Sequence, residues 1–313
     1  MENNKVRGEL LLSITALIWG TSFVAQRVGM DYIGPFTFTA TRFLIGTLSL
    51  IPVILIMNRL NNKQQNNRPT GTKKDLLVGG LACGVALFFG ISFQQAGLVY
   101  TTAGKAGFIT ALYIVLVPLL GLFIHKKVSK NVWIGVALAV VGLYLLCITE
   151  GFSISKGDVI VLCGTVFWAI HILVVDYFAP KVDGLKMSFI QFFVAGILSF
   201  VMALFAETIE LSSILDSAGP ILYTGIVVVG IAYTFQILGQ RGTNPTVAAI
   251  ILSMESVFAV ISGMILLGES MSLKEMIGCI IMFTAVIIAQ LPAKKETEKR
   301  KSGSNLNKEI MKI

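Results

Sequence analysis

One carboxylate stands in the middle of an apolar run long enough to cross a membrane. It is Glu255, in PTVAAIILSMESVFAVISGMILLGE (Pro245–Glu269). An ionised carboxylate at the centre of a bilayer costs about 2.5–3.5 kcal/mol on insertion scales, and a segment that only had to span would use Leu there. Such a group can bind a substrate ammonium or carry a proton. It can equally be a structural partner of Lys105 or Arg42, or a protonated carboxyl bonded to backbone. Arg42 is the second candidate, because a guanidinium can hold a substrate carboxylate through two parallel hydrogen bonds. Snorkelling toward water is the competing reading for it and for Lys105.

The spacing of polar and aromatic residues around these two charges places further candidates by depth, at about 1.5 Å per helical residue. Trp19, Tyr113, Trp168 and His171 fall near the depth of Glu255. Tryptophans at that depth are not interfacial anchors, so they are cavity walls or lipid-facing bulk. For His171 a satisfied buried imidazole is the alternative. Arg27, Arg42, Gln94, Gln95 and Lys105 fall in the outer half, while Gln191, Gln236 and Gln240 fall in the inner half. Together they describe an aromatic and polar midplane beneath a cationic outer vestibule. Gln236 and Gln240, four apart, share a helix face and either line a pathway or bond between helices.

Other chemistries find little support. The chain has no HExxH, no GxSxG and no paired intramembrane aspartates. AGKAG at Ala103–Gly107 lacks the first glycine of a P-loop and the Ser/Thr after its lysine. The four cysteines (Cys83, Cys147, Cys163, Cys279) all lie in apolar runs without ligand spacing, so neither a disulfide nor a metal is implied. A net charge of +8 could suggest nucleic acid, but the positive residues sit in short loops and the C-terminal tail, with no basic aromatic face.

The elements that must position these residues are membrane spans. The chain is 55% hydrophobic and 13% charged over 313 residues, about half the charge of a soluble domain. Ten segments have the length and composition to span, at about Glu9–Val28, Phe36–Met57, Leu76–Leu98, Thr101–Ile124, Val132–Thr149, Asp158–Phe178, Met187–Ala206, Pro220–Gln240, Thr246–Leu267 and Glu275–Pro292. The first has too long an apolar core for a signal peptide, and no small-residue cleavage site follows it. With the N-terminus in the cytoplasm, 20 of the 25 Lys and Arg residues fall in cytoplasmic loops and tails, and 2 in outer loops. That asymmetry predicts cytoplasmic termini in a cell (inner or plasma) membrane. Asn58–Lys74 reads as a flexible loop and residues 293–313 as a disordered basic tail.

The chain also repeats itself. At a shift of 143 residues, TTAGKAGFITALYIVLVPLLGLFI (Thr101–Ile124) lies over NPTVAAIILSMESVFAVISGMILL (Asn244–Leu267), so Glu255 falls on Leu112. At a shift near 149 Trp19 matches Trp168, and at 140 Gly90–Phe93 matches Gly230–Tyr233. Two five-span halves, 1–149 and 158–292, follow from this. An odd number of spans turns the second half upside down, the arrangement of secondary transporters with a midplane site between repeats.

AYTFQILGQRGTNPTVAAIILSMESVFAVISGMILLGE (Ala232–Glu269) resembles the second EamA-type repeat of the drug/metabolite transporter superfamily. ALIWGTSFVAQR (Ala16–Arg27) and TTAGKAGFITALYIVLVPLLGL (Thr101–Leu122) resemble the first. The resemblance covers roughly Gly8 to Leu291 and implies a ten-helix inner-membrane carrier that exports amino acids, drugs or other metabolites. Two positions depart from the family's pattern. Ser256 stands where a proline commonly follows the acidic residue of the ninth span, although Pro118 is kept in the fourth. Lys126 replaces the acidic residue usual after the fourth span, which Glu269 keeps in the second half.

The expectation is an all-α integral membrane protein of ten transmembrane helices in two five-helix inverted repeats, a secondary transporter working by alternating access. Its expected site is Glu255, Arg42, Trp19, Tyr113, Trp168, His171, Gln95 and Gln236. Its expected partners are a small-molecule substrate and the lipid bilayer, with proton coupling and a homodimer left open, and no nucleic acid, cofactor or metal. An integral membrane enzyme and a channel or sensor are the rival classes.

Overall fold

In a computed structural model of the chain, residues 2–61, 71–100, 103–125, 128–147, 155–267 and 272–291 are described. They are helical, with no strand among them. In chain order the helices are α1 (Glu2–Met30), α2 (Pro35–Asn61), α3 (Lys73–Leu98), α4 (Ala103–Ala111), α5 (Tyr113–Phe123), α6 (Lys130–Cys147), α7 (Lys156–Phe178), α8 (Gly184–Ala206), the short α9 (Leu211–Asp216) and α10 (Ala218–Leu222). A π-helical stretch (Tyr223–Tyr233) then runs into α11 (Thr234–Gln240), followed by α12 (Pro245–Leu252), α13 (Glu255–Leu267) and α14 (Leu273–Gln290). Among the described residues, seven helical stretches are long and apolar enough to cross a membrane, and three shorter apolar helices accompany them. Of the expected loop Asn58–Lys74, residues 58–61 instead end α2 and Lys73 and Lys74 begin α3; its middle (62–70), the turns at Lys126 and Glu269, and the tail lie outside the described residues.

Polarity is distributed as lipid demands. Leu48, Leu55, Phe205, Ile265 and Ile287 face outward, whereas Thr15, Arg42, Gln95, His171, Gln191, Gln236 and Glu255 are buried. Hydrocarbon outside leaves polar groups no alternative but the interior.

Helix starts are written locally. Thr72 with Asp75 and Ser155 with Asp158 close capping boxes at the starts of α3 and α7, where free backbone N–H groups need acceptors. Glu207, just past the end of α8, does this across the fold. Its carboxylate accepts from Phe36 N and Thr37 N, both at 2.8 Å, and from Thr37 Oγ1 at 2.7 Å, pinning the start of α2.

Helices approach closely where glycines allow it. A Cβ on Gly20 of α1 would fall 2.4 Å from Phe258 Cβ and 2.7 Å from Glu255 O of α13, so these two backbones nearly touch. The principal packings are α3 on α7 and α8, α2 on α8 and the π-helical stretch, α1 on α13 and α11, and α6 on α14.

Two segments that read from the sequence as single spans are each interrupted. The fourth breaks at Leu112, between α4 and α5, and the ninth at Ser253–Met254, between α12 and α13. At both breaks amides reach back three residues instead of four. Leu112 N donates to Ile109 O at 3.2 Å and Val115 N to Leu112 O at 3.0 Å; Met254 N donates to Ile251 O at 3.1 Å and Ser256 N to Ser253 O at 3.2 Å. Neither break needs a proline, since Pro118 lies well inside α5 and Ser256 stands beside Glu255. The hydroxyl of Ser253 helps by donating to Ile250 O at 2.8 Å.

Candidate functional site

The second half of each broken span opens with a polar residue, Tyr113 in α5 and Glu255 in α13. These two meet, with Tyr113 OH donating to Glu255 Oε1 at 3.3 Å. A helix break frees backbone from its regular ladder and lets neighbouring side chains converge. Here it delivers them to a cavity of about 30 Å³ at the centre of the fold.

Six residues give that cavity its chemistry: Glu255, Arg42, Tyr113, Tyr233, Trp19 and Trp168. Arg42, carried by α2, is only 1% exposed. Its guanidinium carbon lies 5.4 Å from the ring centres of both Phe38 and Phe43, so aromatic faces replace part of its lost hydration. Its Nε and Nη2 have no hydrogen-bond partner. Trp19 of α1 and Trp168 of α7 pack at 6.1 Å, and Tyr233 touches both, at 4.7 Å and 6.2 Å. The indole N–H groups of both tryptophans are also buried without acceptors.

The unmet groups around the cavity are therefore mostly donors: the two indole N–H groups and the free side of Arg42. Opposite in sign stands the carboxylate of Glu255, accompanied by the unpartnered Oε1 of Gln26. Buried polar atoms are rarely left unpaired without a reason. A ligand with a carboxylate at one end and an ammonium at the other would satisfy this set. The walls between are aromatic, suiting an apolar body.

Five of the expected residues, Glu255, Arg42, Trp19, Tyr113 and Trp168, converge on this cavity. Arg42, read by depth as an outer-half residue, instead shares it with Glu255, and Glu255 takes its bond from Tyr113. Three others do not line it. Gln95 is 1% exposed with both amide atoms unpartnered, and its neighbour Gln94 lines the cavity in its place, donating to Thr110 Oγ1 at 3.1 Å. His171 lies edge-on to Trp168 at 6.1 Å and pairs with Gln191. Gln236 is buried one turn beyond Tyr233. Tyr233 and Phe23 were not singled out from the sequence. The shift-140 match that ends on Tyr233 was the one signal pointing there.

A larger opening lies beside the cavity, where the α1–α2 turn meets the α8–α9 link. It has about 580 Å³ and is lined by Phe23, Tyr32, Leu98, Asp31 and Glu210, among others. Among the described residues its charged lining is Asp31 and Glu210; of the cations expected in an outer vestibule, Arg42 lines the cavity instead, and the side chains of Arg27 and Lys105 lie outside the described set. Phe23 borders both spaces and forms the partition between them. No group of three or more metal-ligating residues occurs among the described residues.

Comparison with known proteins agrees with this architecture. A solved crystal structure of a protein 17% identical superposes with a TM-score of 0.74 over 94% of this chain and 99% of that one, a likeness of fold. An uncharacterized transporter of Archaeoglobus fulgidus is 32% identical over 289 residues, covering 92% of this chain and 87% of that protein. The uncharacterized inner membrane transporter YedA of Escherichia coli is 24% identical, with 88% of each chain covered. The sequence profile of the EamA-like transporter family matches residues 6–148 and again 155–290. With nearly its whole length matched, the chain belongs to the EamA-like transporter family and is a membrane transporter.

Proposed function

We propose that this transporter is a ten-span carrier of small zwitterionic metabolites of the amino-acid kind, built from two inverted five-helix repeats (1–149 and 158–292) and working by alternating access. The observation that carries the reading is the single central cavity on which Arg42 and Glu255 both open, each left with bonding capacity unused. One charge suits a carboxylate and the other an ammonium, and the tryptophans and tyrosines between them suit an apolar side group. At about 30 Å³ the cavity is far below the roughly 300–1,000 Å³ of a formed ligand site. This structure thus represents a contracted state, and binding requires the surrounding helices to part.

The repeat architecture is supported by the packing. Exchanging the halves turns the α3–α7 packing into that of α11 on α1, and the α3–α8 packing into that of the π-helical stretch on α2. The α2–α8 and α6–α14 pairs map onto themselves. The two helix breaks, at Leu112 and at Ser253–Met254, fall at nearly equivalent places. Loop charge supports cytoplasmic termini, which puts the acidic vestibule on the outer face. Outward movement of substrate is the direction the family resemblance implies, and transport chemistry rather than catalysis is what the cavity's residues offer.

The test is flux into and out of proteoliposomes using an aromatic amino acid, its decarboxylated amine and its deaminated acid. The amino acid should move saturably and be competed by other amino acids. R42A should abolish the preference for the amino acid over the amine, and E255Q the preference over the acid. Unchanged flux and selectivity in both variants, at normal protein levels, would overturn the assignment.

A further inference from the structure

We propose that the buried polar groups of α7, α8 and α11 form the second half of the transport path, held shut in this structure by a latch at Arg241. This deepens the carrier reading above and rests on it.

The groups begin one helical turn beyond the cavity. Trp168 and Tyr233 form its aromatic floor, and three residues on along their helices stand His171 and Gln236. Gln240 follows on α11, about 10 Å beyond Tyr233 at 1.5 Å per residue. From α8, Gln191 reaches His171, and Ser188 is buried three residues nearer the start of the helix. His171 Nε2 and Gln191 Oε1 pair at 3.0 Å, and Gln240 Nε2 donates to Ile172 O of α7 at 3.1 Å.

What remains is unpaired. His171 Nδ1, Gln191 Nε2, Ser188 Oγ, Gln240 Oε1 and both amide atoms of Gln236 are buried without a partner, on side chains that are all 0% exposed. Polar glue between membrane helices works by making bonds, and these six atoms make none. Buried polar atoms without a protein partner need another one, and an opened path would supply water to them. They are disposed as the lining of a passage from the cavity floor to the end of the fold opposite the vestibule.

That end is closed by an apolar plug and a clamp. Cys83, Val175, Ala179, Val182, Met187 and Ile237 pack together there, each at most 2% exposed. Over them, Arg241 Nε donates to Ala179 O at 2.8 Å and Arg241 Nη2 to Val182 O. Both carbonyls belong to the turn between α7 and α8. Arg241 is itself exposed, and Gly242, at φ 86°, lets the chain turn so that the arginine lies back across the plug. One side chain thereby ties α11 to the α7–α8 turn, the two walls that must separate for the lining to become wet.

The experiment uses the full-length protein with its four cysteines replaced by alanine and the single substitution S188C, reconstituted in lipid vesicles. A charged, water-soluble methanethiosulfonate is applied separately from each face. The thiol introduced by S188C should react from the face bearing Arg241, and adding R241A should raise that rate at least tenfold. R241K, which keeps the charge but loses the two-pronged clamp, should fall between.

A thiol that stays unreactive from both faces in every background would overturn the path. A rate that R241A leaves unchanged would overturn the latch. Thermal melts of each variant exclude unfolding as the source of reactivity. Labelling requires no substrate, so its outcome is independent of whether R42A and E255Q alter selectivity. The two readings can therefore fail separately.

Discussion

The contact between α1 and α13 yields a prediction whose size can be worked from the structure. Gly20 sits beside Trp19 and lies directly against the backbone of Glu255. In G20A the new Cβ would lie 2.4 Å from Phe258 Cβ, 2.7 Å from Glu255 O and 2.8 Å from Ala259 N. Side-chain Cβ atoms essentially never come within 3.0 Å of such neighbours, and two of these three atoms are backbone and cannot rotate away. The helices must therefore part by about 1 Å. Overpacking of this kind costs about 1–3 kcal/mol, which lowers the melting temperature by about 2–10 °C for a chain of this size class. The displacement falls on Glu255 itself, and a misplacement of about 1 Å can cost on the order of a hundredfold in a positioned group. Flux per folded molecule should drop by roughly ten- to a hundredfold.

Two controls bracket this expectation. Gly219 has nothing within 4 Å of a built Cβ, so G219A should be silent in both assays. Gly135 meets Ala289 Cβ at 2.9 Å and Ala285 O at 3.0 Å, on the α6–α14 pair away from the cavity. G135A should therefore lower the melting temperature while leaving flux per molecule near wild type. If G20A behaves like G219A, or G135A loses flux as fully as G20A, the reasoning from the α1–α13 contact is wrong.

Two further outcomes follow from other parts of the fold. F23A removes the partition between the 580 Å³ vestibule and the cavity; a thiol introduced at Thr110 should then react at least several-fold faster from the vestibule face, and an unchanged rate would refute the partition. E207Q weakens the carboxylate that caps Phe36 N and Thr37 N and should cost about 0.5–2 kcal/mol, read as a lowered melting temperature that E210Q does not reproduce.

Much of this was legible in the sequence for one reason: lipid makes a buried charge conspicuous. Glu255 and Arg42 stand out because a bilayer segment has so few polar residues, and both reach the cavity. Trp19 and Trp168 were found through the repeat. Depth counting along a helix failed where it had to choose a direction around the axis. It could not separate Gln94, which lines the cavity, from Gln95, which does not, because adjacent residues share a depth and differ by about 100° of rotation. Tyr233 was hidden for a related reason: it ends a π-helical stretch, whose i→i+5 spacing shifts the facing of every residue in it. The break in the ninth span was equally silent. Its usual mark is a proline, and here local three-residue bonds do the same work.

That missing proline changes what kind of joint the ninth span contains. A proline has no N–H, so the carbonyl four residues before it can never regain its helical donor. Across Ser253–Ser256, Ser253 N keeps its helical partner, Ala249 O, while Met254 N and Ser256 N bond one residue short, to Ile251 O and Ser253 O. The segment can straighten when Met254 N and Ser256 N each exchange one acceptor for the next, with no peptide isomerised. With Ser256 in that place, the segment that carries Glu255 keeps the amide it would need to straighten.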